Sequence, residues 1–463
     1  MRINLLGLFL LMASISIAQP DSSSRVKSER KNLLSYFKNG KAGGHLRYYF
    51  MATDNESGLT DYYANAVGGG LRFETASFYG FHFGVAGFYI FNIGSSDMSR
   101  RDPATNQLSR YESGQFDITN LRNKHDLDRL EELYLRYEIG KTTITAGRQN
   151  IKSPFINPQD GRMRPTAESG IWLESLGDVK NFDFRAGVFN DISPRGTVNW
   201  YSIGRSIGIY SAGVDENGKK SAYPNAVKSE FIGLIGAQYN FAKSTKIQAW
   251  NQWAENVFNT ALFQVDGNFL LSGKWKGLYG FQYIHQNTIG QGGNSNPALA
   301  YASKDWKSNI YGGKLGIKHT GFETSISYTR ITKDGRFLMP REWGREPLFT
   351  FMPRERNEGA GNVHAWVYRI SNHFEKLRLK PELSAGYYQM PDVRDFRLNK
   401  YGMPSYWQAN ISLLYEFEGF MKGLDAQLIL LYKGQNGETY GVPNYVFNKV
   451  NMIHTNVILN YHF

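Results

Sequence analysis

The chain has 463 residues, no cysteine and a formal net charge of +12, from 53 Lys and Arg against 41 Asp and Glu. The lack of cysteine excludes thiol catalysis, thiolate metal sites and a disulfide scaffold. Mean hydropathy is −0.44, yet aromatic residues make up 15% and glycines number 48, a mix that suits many strands with one apolar face joined by tight turns.

The sequence opens MRINLLGLFLLMASISIAQPDSSS. Arg2, the apolar run Leu5 to Met12 and the small-x-small Ser16-Ile17-Ala18 have the form of a secretory signal peptide, 1–18, cleaved after Ala18. The apolar run is too short to be a comfortable membrane anchor, and no later stretch is apolar enough for a transmembrane helix. In an exported chain the positive charge does not point to nucleic acid and leaves anionic solutes or an anionic membrane surface. Residues 19–40 read as a polar leader, and 41–463 as a single strand-rich unit.

From Lys41 onward, apolar residues recur at every second position, the period of a strand whose two faces meet different surroundings. Strands are expected near 42–52, 67–76, 81–92, 130–139, 142–151, 170–176, 182–190, 230–241, 245–255, 260–272, 278–287, 310–319, 322–332, 363–374, 380–390, 406–417, 425–434 and 450–463. In GFHFGVAGFYIF, Phe81, Phe83, Val85, Tyr89 and Phe91 are in step. In EELYLRYEIGKTTITAG, Leu133, Leu135, Tyr137 and Ile139 share one face, and Gly140-Lys141 makes a two-residue turn that sets Tyr137 opposite Ile144. In YWQANISLLYEF every odd position from Trp407 to Phe417 is apolar. KIQAWNQW mixes its faces, and LILLY is apolar on both. The last strand carries Ile453, Val457, Leu459, Tyr461 and the terminal Phe463 on one face, with Ile458 as the exception on the other.

Connections alternate between short turns, such as Gly140–Lys141 and Ala242–Ser244, and long polar loops, such as Ile93–Arg129, Asp191–Ser229 and Lys333–Asn362. The short link at Asn256–Asn259 is the one exception. An even number of strands, short turns on one rim and long loops on the other describe an all-β, transmembrane antiparallel β-barrel of 18 strands in a bacterial outer membrane, with periplasmic turns and extracellular loops. The apolar face sees lipid and the polar face an aqueous lumen. A β-sandwich array or propeller is the competing fold. It would favour Val, Ile and Leu over aromatics on its apolar face, and a propeller would show a fixed repeat.

A barrel of this size encloses water and needs a constriction to select solutes. The loop RQNIKSPFINPQDGRMRPTAESG carries Arg148, Lys152, Arg162 and Arg164 against Asp160, and is stiffened by Pro154, Pro158 and Pro165. Arginine forks match carboxylates and phosphates, and basic rings select anions. The alternative is a solvated surface loop. Strand parity directs Arg72, Glu74, Arg136, Glu138, Arg185 and Arg369 inward, as solute contacts or as ion pairs of a rigid lumen network.

The pattern Asp160-Gly161-Arg162, Pro165 and Gly170 resembles the third-loop region of OprD-type outer membrane porins, and YYANAVGGGLRFETASFYGFHFGV resembles their first hairpin. The resemblance implies an eighteen-stranded barrel, inward-folded loops, a basic ladder on one lumen wall, and passage of small solutes that often bear a carboxylate, including amino acids and short peptides. It implies that Arg162 lines the eyelet with Asp160 facing it. Glu74 and Glu138 depart from a purely basic wall.

Other patterns are weaker. The nine histidines have no metal-ligand spacing, so neither metal nor cofactor is expected. PREWGREPLFTFMPRERNEG mixes Arg and Glu with aromatics and reads as a loop that folds into the lumen, touches lipopolysaccharide or stays outside with internal salt bridges. Gly68–Gly70 reads as a kink in the barrel wall rather than a phosphate loop, since no helix follows. The functional expectation is a non-enzymatic porin for small hydrophilic solutes. The alternatives are a barrel protease or lipase, or a surface adhesin or receptor. Expected partners are outer membrane lipid and lipopolysaccharide, and the barrel-assembly machinery through Phe463. The barrel is a monomer or a homotrimer.

Overall fold

The computed structural model describes residues 33–159, 161–242 and 244–463. The expected signal peptide and the leader through Asn32 lie outside the described residues, as does Asp160. The strands are β1 (Lys41–Asp54), β2 (Tyr62–Glu74), β3 (Phe81–Asn92), β4 (Arg129–Ile139), β5 (Thr142–Gln149), β6 (Ala167–Val179), β7 (Phe182–Ser193), β8 (Tyr201–Ser202), β9 (Ile232–Phe241), β10 (Thr245–Ala254), β11 (Phe258–Ser272), β12 (Trp275–Thr288), β13 (Lys307–His319), β14 (Phe322–Ile331), β15 (Val363–Ser371), β16 (Leu379–Gln389), β17 (Tyr406–Glu416), β18 (Leu424–Gln435) and β19 (Met452–His462). Two short helices, α1 (Leu33–Lys38) and α2 (Ile203–Ser206), accompany them.

Neighbouring strands pair antiparallel in sequence order, and β1 pairs with β19 in the register Tyr49 opposite Ile458, which closes the sheet. The two-residue β8 only extends the pairing of β7, which continues to β9, so the closed barrel has 18 strands. Closure leaves no unpaired edge, the condition for a sheet to cross a bilayer. The β4–β5 hairpin turns through Gly140, whose positive φ of 59° suits glycine, and sets Tyr137 opposite Ile144.

Each expected segment corresponds to one barrel strand, and β3 has the expected bounds. The largest difference is at β2, which begins at Tyr62 rather than near Val67. Its inward residues there, Tyr62, Ala64 and Ala66, are buried and apolar, which hides the alternation.

The outward face is apolar: Leu135, Ile171, Val188, Phe263, Leu315 and Trp407 are all exposed to the bilayer. The inward face is not uniformly polar. In its extracellular half, wall residues such as Leu234, Phe258, Ile284, Ile310, Val367 and Tyr406 form one buried cluster with Phe155, Phe337, Trp343, Leu348 and Met352 from the long loops. Trp250 points into this cluster while Trp253 points out, which explains the mixed pattern of KIQAWNQW. Leu431 is buried on the inward side, between the outward Leu430 and Tyr432, which explains LILLY.

Candidate functional site

Loops 150–166 and 332–362, between β5 and β6 and between β14 and β15, both fold into the barrel and lock together. Asn157 donates to the Arg345 carbonyl and accepts from the Arg345 N–H, each at 3.0 Å. Gln159 donates to the Arg341 carbonyl at 3.0 Å, and Arg356 donates to the Gln159 side chain at 2.6 Å.

The longer loop then follows the inner wall. Gln282 of β12 donates to the Pro347 carbonyl at 2.9 Å, and Lys314 of β13 sits over the Phe349 ring. The Thr350 hydroxyl donates to Thr329 of β14, and Thr350's carbonyl accepts from Tyr388 of β16 at 2.7 Å. Arg369 of β15 donates to the Phe351 carbonyl, Gln408 of β17 to that of Pro353 and Lys433 of β18 to that of Arg354, all at 2.9 Å. Arg354 finally donates to Asn456 of β19 and to Tyr49 of β1, at 2.5 and 2.8 Å. Eight consecutive residues are thus held by strands from β12 round to β1. Five of their carbonyls, those of Pro347, Thr350, Phe351, Pro353 and Arg354, accept from wall side chains, which offsets the desolvation cost of placing that backbone inside the barrel. The fixed point beneath is the pair of Lys433 and Glu355, 2.9 Å apart and each 1% exposed.

Four guanidinium groups meet where the loops converge. Arg162 donates to the Gly161 carbonyl at 2.7 Å, and Arg195 to the Gln159 carbonyl at 2.8 Å. Arg354 is held by Tyr49, Asn456 and His454, and Arg356 by Gln159 and the Gly344 carbonyl. These acceptors are all neutral, and among the described residues none of the four has a carboxylate within ion-pair distance. Burial, then Arg354 and Arg195, pushes the Arg162 guanidinium well below the usual arginine range. Burial, then Arg195, brings Arg356 down to about 10. Mutual repulsion among cations that, among the described residues, have no carboxylate in direct contact suits the site to an anion.

The site is braced from behind. Because His454 Nε2 accepts from Arg354 at 3.0 Å, its Nδ1–H donates to Thr53 Oγ1 at 2.8 Å. The Thr53 hydroxyl donates to Glu112, which also accepts from Ser109 at 2.6 Å. Burial raises the Glu112 carboxyl above the usual range. Next to the cluster is a cavity of about 320 Å³, counting space open to solvent, lined by Arg110, Arg341, Arg356, Glu358, Tyr401 and Lys433 among others. Glu358 is buried, yet Lys400 and Arg341 hold its carboxyl below the usual range.

Of the residues read as the constriction, Arg162 lies in this cluster. Three of the others do not. Arg148 is on the face of β5 shared by Ile144 and Ala146, with its guanidinium 4.6 Å over the Trp200 ring, because strand parity continues to the end of β5. Lys152 is exposed. Arg164 is buried beside Arg129 and Glu131, because the chain returns to β4 at Pro165, whose carbonyl accepts from Arg129 at 2.5 Å. Arg195, Arg354 and Arg356 escaped notice. The last two lie in the Arg/Glu loop, where alternating charges read equally well as internal salt bridges.

The six inward-directed wall residues lie on the face opposite the exposed apolar side chains. Glu74 accepts from Arg136 at 2.6 Å and lies 3.5 Å from Arg72, which reaches Glu132 at 2.9 Å. Arg185 pairs with Glu174 at 3.2 Å, Arg369 with Glu382 at 3.1 Å, and Glu138 lies 3.5 Å from His82.

A family model for outer membrane porins of the OprD family matches residues 35–433. The chain belongs to the OprD family of outer membrane porins. Solved Pseudomonas aeruginosa structures share the fold. OccK9 (OpdG) aligns with a TM-score of 0.71 at 15% identity, over 92% of this chain and 99% of that one. OccK2 (OpdF), solved with glucuronate, gives 0.69 at 14% over 92% and 99%, and OpdK, solved with vanillate, 0.67 at 14% over 92% and 99%. A search of curated proteins returns no match. This OprD-family porin is therefore a channel of the bacterial outer membrane, and its relatives are not enzymes.

Proposed function

We propose that this porin admits small solutes bearing a carboxylate, by passive diffusion through the constriction formed by Arg162, Arg195, Arg354 and Arg356. The observation that carries the reading is four guanidiniums from three loops whose hydrogen-bond acceptors, among the described residues, are all neutral. The OpdK and OccK2 structures, solved with vanillate and with glucuronate, support the solute class. Arginine forks pair with a carboxylate in two parallel hydrogen bonds. Several such donors offer a solute a succession of partners, so it is bound well enough to enter and weakly enough to leave. Below them the wall pairs Arg72, Glu74, Arg136 and Arg185 act as a rigid, nearly neutral lining rather than as solute contacts.

The test is single-channel recording with a KCl gradient. The parent protein gives a reversal potential on the anion side. Replacing Arg162 and Arg354 with Ala raises conductance and moves that potential toward zero, and glucuronate no longer blocks chloride current. An unchanged reversal potential in a folded double variant removes the cluster from selection.

A further inference from the structure

Helix α1 lies outside the barrel. Its Phe37 ring stacks on Phe73 at 6.3 Å with the planes 15° apart, and its Tyr36 ring meets Phe78 edge-on at 4.9 Å. Phe73 of β2 is opposite Val85 of β3, which is opposite Leu133 of β4, and directly opposed residues share a face. Leu133 is one of the exposed, bilayer-facing leucines. Phe73 is therefore on the lipid side, and so is the helix stacked on it. The position is fixed by the Ala76 N–H donating to the Tyr36 carbonyl at 3.1 Å. It also needs Gly40, where a Cβ would come within 2.5 Å of the Phe73 ring.

The helix keeps an apolar surface of its own. Leu33 and Leu34 are 59% and 60% exposed and Phe37 is 42% exposed, beside Tyr79 at 74%. This patch continues the apolar belt of the wall at the rim that carries the short turns. The sequence here is basic: Arg25, Lys27, Arg30 and Lys31 precede the helix, Lys38 is its last residue and Lys41 follows, with Glu29 the one acidic residue from Arg25 to Lys41. Apolar residues flanked by cations suit the boundary between acyl chains and anionic headgroups.

We propose that α1 is an interfacial anchor that docks onto anionic phospholipid of the periplasmic leaflet, with Leu33, Leu34 and Phe37 in the acyl region and Lys38 and Lys41 at the headgroups.

The native chain has no cysteine, so a single nitroxide label reports one site. The mature full-length protein carrying Leu34→Cys is labelled and folded into vesicles of phosphatidylglycerol and phosphatidylcholine. Ser295→Cys, in an exposed extracellular loop, is the water control. The expected result is an oxygen-to-nickel-complex collision ratio several-fold higher at position 34 than at 295. Lys38→Glu should lower that ratio in vesicles containing phosphatidylglycerol but not in pure phosphatidylcholine. A ratio at 34 equal to the control, in a barrel shown to be folded, overturns the anchor. So does low contact with both reagents, which would mean the helix is covered by protein. A high ratio indifferent to Lys38→Glu in both lipids overturns the anionic-headgroup part.

Discussion

Along β11 the inward residues run Phe258, Thr260, Leu262, Gln264, Asp266 and Asn268 from the extracellular rim to the periplasmic one. The first three are buried against the loops, and the last three are half-exposed to the lumen. β2 changes in the same direction, from buried Tyr62, Ala64 and Ala66 to Arg72 and Glu74. The extracellular half of the lumen is packed like a domain interior, with apolar contacts and loop carbonyls that accept from wall side chains. The periplasmic half is a wet surface lined with ion pairs. Charge is therefore worth different amounts at the two ends. In the packed half a lone charge is costly and its partner matters, while in the open half water screens it.

The largest effect is expected where the packed half is pinned. Lys433→Met strands the buried Glu355 carboxylate and should cost about 3–5 kcal/mol, seen as a lower urea midpoint for the folded barrel. The loop from Pro347 to Arg354 would lift from the wall and single-channel conductance would rise. Glu355→Gln, a milder change, should raise conductance less, and no change in either variant would argue that the loop is held elsewhere.

Next is Glu346, which accepts from the N–H groups of Asn357 and Glu358, at 2.8 and 3.1 Å. Burial pushes its carboxyl up to about 7. A raised carboxyl favours the folded loop fully below its unfolded value of about 4.5, and this advantage is lost as pH rises through about 7. Channel noise from loop motion should accordingly increase between about pH 5 and 7, and Glu346→Gln should flatten that profile. An equally steep profile in the variant would assign the titration to another group.

A smaller effect separates the two neighbouring loop arginines. All three Arg164 guanidinium nitrogens are buried without a hydrogen-bond partner, and burial and Arg129 bring the group down to about 9. Arg164→Met should leave the reversal potential unchanged and stabilise the barrel by about 1 kcal/mol, in contrast to the change in selectivity at Arg162. The smallest effect is expected in the open half. Arg136→Gln removes a partly exposed pair with Glu74 and should cost about 1 kcal/mol or less, with little change in current. A large loss there would mean the lining acts as a single network rather than as screened pairs.

What the sequence determined by itself was the barrel. Period-2 alternation arises because lipid and lumen lie on opposite sides of every strand, so YWQANISLLYEF, the Gly140–Lys141 turn and the even count were legible without long-range information. Arg162 was expected at the eyelet from the family resemblance of its Asp-Gly-Arg setting. The tertiary structure alone decided what fills the lumen. Loop 332–362 has no period that reveals a path along the wall. Its wall donors Gln282, Arg369, Gln408 and Lys433 are single residues on strands far apart in sequence, and only barrel closure lines them up. The same closure brings Arg195, Arg354 and Arg356 to Arg162, whereas the local parity of β5 turns Arg148 away. A residue's face on a strand follows from its local pattern, but the partner it meets across a lumen depends on which distant loop arrives there.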